Sequence, residues 1–303
     1  YITFFIFWSF LSSFFHTFGK VWCFHFFRVF EITEGGALPL IEGKGTGYYM
    51  PSAVYTKIGW GERHYYDIID AAREKIDRND ISFISDTTMS VYSPIQYMPQ
   101  VIGVSFAKIF AQRPILIAYV GRLFNMLFCI VLLYLAIRIT PYSKNLFLLF
   151  SFIPISIEGF TTLSGDGLTI SVAYLFMSYI FSMIERKEKC FLKKDFPILI
   201  GLGTILAFCK LVYIPLVGLL LLIPKQFFKN VKQKFLRVIP IMLLLLMLNL
   251  IWLKLAGPYL EVYTQGQSNY QISFIFHHII KYFEMFMNSF LSQFLGLIMS
   301  AFG

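Results

Sequence analysis

The chain has 303 residues, 57% hydrophobic, 19% aromatic and only 14% charged, with a formal net charge of +9. A mean hydropathy of +0.67 excludes an ordinary soluble enzyme and fits a polytopic membrane protein. The positive charge lies in short loops between apolar runs, not on a basic stripe of a soluble domain, so no nucleic-acid partner is expected; the four cysteines show no spacing for a disulfide framework or a metal cluster.

A membrane-spanning helix needs about 20 apolar residues. Tyr1–Phe18 reads as a first transmembrane helix, because it lacks the basic start and small-residue cleavage site of a signal peptide. The chain opens there without Met and ends at Gly303 inside another apolar run, so it reads as a piece of a longer protein. Residues 19–114 are the longest polar region and read as an extracytoplasmic loop. Within it, Tyr65–Arg78 predicts an amphipathic helix, with Ile68, Ile69, Ala72 and Ile76 opposite Asp67, Asp70, Arg73, Glu74 and Asp77. Ser93–Phe110 predicts a juxtamembrane helix lying on the outer surface, with Lys108 and Arg113 at the headgroups.

Residues 115–303 predict a multi-span domain of about seven further helices. The first is Ile115–Ile137. Leu146–Ser164 and Leu168–Ile184 predict a hairpin around Gly165-Asp166-Gly167, and Phe196–Cys209 and Leu211–Pro224 a second one that turns at Lys210. Val238–Ala256 follows, then a polar stretch Gly257–Ile275 without Lys or Arg, then Phe276–Gly303. The fold expected is an all-α integral membrane protein.

Two loops fix the orientation. Glu185–Asp195 carries Arg186, Lys187, Lys189, Lys193 and Lys194, and Lys225–Arg237 carries Lys225, Lys229, Lys232, Lys234 and Arg237. Short Lys/Arg-rich loops stay cytoplasmic. The loop Arg138–Lys144 then also falls inside, and Asp166 and Lys210 fall at the outer face.

Ionisable residues at membrane depth are costly and mark function. Asp166, flanked by glycines, is the candidate catalytic carboxylate; the simpler role is an N-cap for the helix beginning at Leu168. Lys210, between two apolar runs, suits a lipid phosphate as a point charge, or snorkels. Arg122 near the outer start of its span meets an anionic headgroup or pairs with Asp166. Tyr92-Ser93-Pro94-Ile95-Gln96-Tyr97-Met98-Pro99-Gln100 predicts a rigid surface turn whose Tyr92, Gln96, Tyr97 and Gln100 suit sugar hydroxyls and sugar faces, or anchor the interface. His25 and Arg28 lie one helical turn apart, and His64 lies near Glu62 and Asp67; neither set has the spacing of a strong metal site. A divalent ion held loosely by outer-loop carboxylates stays open as a cofactor. Phosphate-binding loops, dinucleotide fingerprints and nucleophile elbows are absent from the sequence.

Several of these marks together resemble a bacterial family of predicted polytopic membrane proteins, domain of unknown function 2142. They are His25-x-x-Arg28, Tyr92-x-Pro94-x-x-Tyr97-x-Pro99-Gln100, Arg122-Leu-x-Asn125, Ser164-x-Asp166 and Lys210-x-x-Tyr213-x-Pro215, which makes His25, Arg28 and Tyr213 further candidates for substrate binding. That family in turn looks like the C-type glycosyltransferase (GT-C) superfold, in which a large first outer loop carries juxtamembrane helices and an acidic catalytic residue. The resemblance implies a sugar donor on a polyprenyl phosphate and a cell-envelope glycan or polymer as acceptor, at a bacterial cytoplasmic membrane. One departure matters. The family usually has Pro-Asp-Glu-x-x-His, and here Lys20, Val21 and Trp22 stand at those positions. General-base help is worth about 10²–10⁴-fold, and the pair that would supply it is missing. Glu31, Glu34 and Glu42 lie nearby but not at the motif position. The expected function is therefore a membrane-embedded, glycosyltransferase-like protein. The alternatives are a non-catalytic binder of lipid-linked glycans and a transporter.

Overall fold

A computed structural model describes residues 20–43, 45–58, 72–85, 89–186, 190–264 and 267–302. The expected first span Tyr1–Phe18, His64 and the first half of the amphipathic stretch, 65–71, lie outside the described residues.

The N-terminal region opens with α1 (Lys20–Thr33), followed by β1 (Leu40–Glu42), β2 (Gly45–Pro51), α2 (Ser52–Ile58) and β3 (Ile81–Ser85). The strands form an antiparallel sheet in the order β1-β2-β3, with Tyr48 opposite Ile84. No strand was expected, because Gly45-Thr46-Gly47-Tyr48-Tyr49-Met50 alternates too weakly to read as one. Phe26, Phe27 and Phe30 of α1 pack with Tyr48, Met50, Val54, Tyr97 and Val104 into a closed apolar core. Residues 74–77 are not helical, so the amphipathic helix does not run to Arg78; Ala72 and Ile76 pack against this core instead.

A 3₁₀ turn (Pro94–Tyr97) leads into α3 (Met98–Phe110), which folds back on α4 (Pro114–Ile139). Pro at the first helical turn costs nothing there, because that N–H has no intrahelical acceptor; Pro94, Pro99 and Pro114 all stand at such starts. The segment expected as one span, 146–164, is two short helices, α5 (Lys144–Ser151) and α6 (Pro154–Thr161). Pro154 cannot continue a helix from the residues before it, so the break falls at 152–153. Next come α7 (Asp166–Glu185), α8 (Asp195–Cys209), a short helical return through α9 (Ile214–Val217), and α10 (Val231–Thr264). α10 runs on through the polar residues after Gly257 and includes Pro258, so that stretch is helix where a loop was expected. α11 (Gln267–His277) and α12 (Ile279–Phe302) close the chain.

Three described helices are long and apolar enough to cross a membrane: Pro114–Ile139, Asp166–Glu185 and Val231–Val262. Asp195–Cys209 is apolar and shorter. The protein is a multi-pass, predominantly α-helical membrane protein with a small antiparallel sheet in its N-terminal region. Phe176, Ile180, Met183, Leu199, Leu206, Leu220, Ile223 and Leu245 form the core of the bundle.

Specific contacts sort the loops into two ends. At one end Tyr142 bonds to Glu185, Arg186 forks onto Asp195 at 2.9 and 3.0 Å, and the Phe191 N–H donates to the Phe227 carbonyl at 3.3 Å. The three basic loops therefore share this end. Chain 195–227 leaves it and comes back, which is the hairpin expected around Lys210. At the other end the Gln100 amide donates to the Ser164 carbonyl at 2.9 Å, and the Trp252 indole to the Val91 carbonyl at 3.2 Å.

Candidate functional site

The polar end is organised around Ser164-Gly165-Asp166-Gly167. α7 starts at Asp166 itself, with Gly165 as its cap residue. Asp166 is thus inside the first turn and is not the cap. The Ser164 hydroxyl donates to Asp166 Oδ2 at 3.0 Å, and its oxygen lies 3.2 Å from the Asp166 N–H. A carboxylate in the first turn is favoured by the helix dipole. Gly167 is needed for a close approach: a Cβ there would sit 2.4 Å from the Gly159 carbonyl oxygen. Asn125 of α4 ties down the same segment, donating to the carbonyls of Gly159, Phe160 and Thr162 at 3.1, 3.1 and 2.7 Å.

Lys210, at the end of α8, forms an ion pair with Asp166. Their side chains keep 32% and 43% of their exposure, so the pair is open to solvent and to ligands. An ion pair this exposed is worth about 0–1 kcal/mol, which makes it easy to exchange for another partner. The Lys210 ammonium lies 5.9 Å from the Tyr92 ring centroid. Tyr213 is within electrostatic reach of both Asp166 and Lys210.

Beside Lys210 a cavity of about 270 Å³ is lined by Tyr92, Ser93, Phe208, Cys209, Trp252 and Leu253, among others. Its walls are mostly apolar and come from three elements: the Val91–Ser93 turn, the end of α8 and the middle of α10. A cation beside an apolar hollow matches an amphiphile that carries an anion.

The remaining sequence-predicted residues lie behind this surface. Gln96, Tyr97 and Gln100 are fully buried, so they do not form the exposed edge of a groove. Gln96 faces Gly165, Gln100 bonds to the Ser164 carbonyl, and Tyr97 meets His25. Gln96 is pressed on Gly165 so closely that a Cβ there would lie 2.7 Å from its Cγ. Among the described residues neither amide atom of Gln96 has a hydrogen-bond partner. Arg28 is completely buried. It donates to the Tyr92 carbonyl at 2.9 and 3.2 Å and to the Ala37 carbonyl at 2.7 Å, and it pairs with Glu31. Arg28 therefore holds the Tyr92 backbone in place. Arg122 is also buried, and its Nε donates to the Thr161 carbonyl at 2.9 Å. Arg122 was the cation expected to pair with Asp166; the ion pair of Asp166 is made instead by Lys210.

His25 Nδ1 lies 2.8 Å from the Tyr97 hydroxyl. Burial pushes its pKa down to about 4, with Asp166 and Lys210 as the charged groups acting on it. It is a neutral imidazole at physiological pH, held against the Tyr97 ring and hydroxyl. Glu34 pairs with Lys108 at 2.7 Å, and Glu42 accepts from the Tyr49 hydroxyl at 2.8 Å on the sheet. With Glu31 on Arg28, each of these three acidic residues has a partner within the N-terminal region, and Asp166 is the carboxylate that acts electrostatically on His25. Among the described residues no group of three or more His, Cys, Asp or Glu side chains comes together as a metal site.

Sequence reading missed Asn249. It is a lone amide in the apolar run Ile241–Leu250, is 3% exposed, lines the cavity, and donates to the Ala207 carbonyl at 2.6 Å. Its position inside an otherwise apolar span was the available signal.

Comparison with known families finds one described as "Predicted membrane protein (DUF2142)", which matches residues 23–303. No curated protein and no solved structure matches the chain.

Proposed function

Because the chain belongs to this family of predicted membrane proteins, we propose that its polar end binds a lipid phosphate and serves GT-C-type glycosyl transfer from a polyprenyl-phosphate sugar donor. The observation that carries the reading is the placement of Lys210, with its ammonium between the Asp166 carboxylate and a mostly apolar cavity. In this reading the basic loops face the cytoplasm and the site faces the outer surface of a bacterial plasma membrane. Lys210 takes the phosphate. Tyr92 and Tyr213 border it. Arg28, Arg122, Gln96, Tyr97 and Gln100 act as positioning residues, because they are buried and hold the Tyr92 and Ser164–Asp166 segments.

The chemistry balances as a substitution at the anomeric carbon. An acceptor hydroxyl oxygen bonds to that carbon, and the bond from it to the phosphate oxygen breaks. The hydroxyl proton passes to Asp166 once Lys210 has turned to the phosphate, and the lipid phosphate leaves as a monoester stabilised by Lys210. Preorganised charge of this kind supplies a large part of many enzymes' rate enhancement.

A second reading has a specific observation in its favour. Lys20, Val21 and Trp22 replace the acidic motif, and a protein that only binds lipid-linked glycans needs no base. One assay separates the two. The chain is reconstituted with radiolabelled polyprenyl-phosphate hexose, and release of polyprenyl phosphate is followed. A transferase releases it, and Asp166→Asn lowers turnover by 10²-fold or more while retaining binding. A binder shows affinity and no release, and Asp166→Asn leaves that affinity within a few-fold. Absence of both binding and release in the unaltered chain contradicts both readings.

A further inference from the structure

The cavity beside Lys210 contains a second polar group besides the ammonium. The Asn249 side-chain nitrogen donates to Ala207, which fixes the amide orientation: a flipped amide would put two oxygens face to face. The Asn249 Oδ1 is buried and, among the described residues, has no donor. A buried acceptor without a donor is costly, and Asn249 sits in the wall of a ligand-sized hollow.

What would satisfy it follows from elementary chemistry. A phosphodiester offers Lys210 negative oxygens but has no hydrogen to donate. A hydrocarbon or isoprenoid chain has none either. The group that satisfies both residues carries an anion and, close to it, an O–H or N–H donor, and in a sugar on a lipid phosphate that donor is a hydroxyl.

Resting on the lipid-phosphate reading above, we propose that Asn249 is a specificity residue that accepts a hydrogen bond from a hydroxyl of the group esterified to the lipid phosphate. The site thereby prefers a glycosylated lipid phosphate over one whose phosphate carries no hydroxylated group. A cavity of about 270 Å³ is near the lower end for small-molecule sites. It holds one part of a long amphiphile, with the rest of the chain lying along lipid-facing helices. Trp252 and Phe208, packed edge to face with centroids 6.4 Å apart, form part of the cavity wall.

The test uses the whole chain in lipid nanodiscs and measures dissociation constants by native mass spectrometry. The probes are polyprenyl-phosphate hexose, polyprenyl methyl phosphate (a diester without hydroxyls) and hexose 1-phosphate. The unaltered chain is expected to bind the glycosylated lipid roughly 10–100-fold more tightly than the methyl diester, the range for satisfying one buried acceptor. Asn249→Leu is expected to bring the two lipids within about 3-fold of each other, through a selective loss of affinity for the glycosylated lipid. Equal affinity of the unaltered chain for both lipids overturns the proposal while leaving lipid-phosphate binding intact. Equal loss of both lipids in a folded Asn249→Leu protein also overturns it and makes Asn249 structural. Failure of the unaltered chain to bind any lipid probe overturns the lipid-phosphate reading, and this proposal with it. Hexose 1-phosphate binding as tightly as the glycosylated lipid contradicts a lipid headgroup as the source and likewise overturns the proposal. If Asn249→Leu does not fold, lipid-linked deoxyhexoses on the unaltered chain decide: at least one deoxy position must lose the preference, and retention by all of them overturns it.

Discussion

At the scale of single residues, the site is a small accessible surface held by buried polar groups. Lys210 and Asp166 are open, and His25, Arg28, Arg122, Gln96 and Gln100 are closed off behind them. The pH dependence of stability follows from His25. Its pKa is 6.5 when free and about 4 in the fold because burial disfavours the charged ring. Between those values the unfolded chain binds a proton that the folded chain does not. The contribution of a neutral His25 is thus complete above pH 6.5 and is lost as pH falls toward 4, a change of roughly 3 kcal/mol. Denaturation at stepped pH should show this loss, and His25→Phe should flatten it; an unchanged slope in His25→Phe would assign the acid lability to other groups. A second expectation concerns Gly167. Alanine there meets the Gly159 backbone oxygen, which cannot swing away as a side chain would. Gly167→Ala should destabilise by about 1–3 kcal/mol, read as a lower thermal midpoint in detergent, and an unchanged midpoint would show that α6 and α7 are free to move apart.

At the scale of elements, the hairpin through Lys210 decides which side every other loop occupies. As one tilted helix, 196–224 would put the two basic loops on opposite sides. As a return it places them together, and the Phe191–Phe227 backbone bond shows the return. Cysteines introduced at Phe191 and Phe227, with Cys190→Ser, should form a cross-link under mild oxidation in membranes. No cross-link, with both cysteines labelled from opposite faces of sealed vesicles, would contradict the hairpin. Much of this level was legible in the sequence. Charge runs and apolar lengths gave the helices at 115–137, 168–184, 196–209 and 238–256 and the turn at Lys210, because burial in lipid imposes length and composition together. The break at Pro154 was also written in the chain, but apolar length outweighed proline in reading 146–164 as one span. The β-strands were not legible, since Gly45 and Gly47 interrupt the alternation and pairing with 81–85 is set at long range.

At the scale of the whole molecule, two packed units meet at the candidate site. The N-terminal core of α1, β2 and α3 reaches Leu163, and the bundle core begins at Leu168, so Ser164–Gly167 is the seam between them. Asp166 and Lys210 were both legible as charges flanked by apolar runs, and their pairing was not, because it depends on how two separate turns meet. Local pattern likewise marked Tyr92–Gln100 as important but gave its direction wrongly: prolines fix a turn without saying which face is buried. Asn249 was overlooked because a single amide in a span carries little signal until its neighbours are known. The account's central claim is that an anionic isoprenoid lipid sits in the hollow beside Lys210. A photoactivatable polyprenyl phosphate, cross-linked to the reconstituted chain and mapped by peptide mass spectrometry, tests it most directly. The account predicts adducts within Val91–Ser93, Phe208–Val212 and Trp252–Leu260, reduced at least 10-fold by Lys210→Met. Adducts confined to other helices, or unchanged by Lys210→Met, would contradict it.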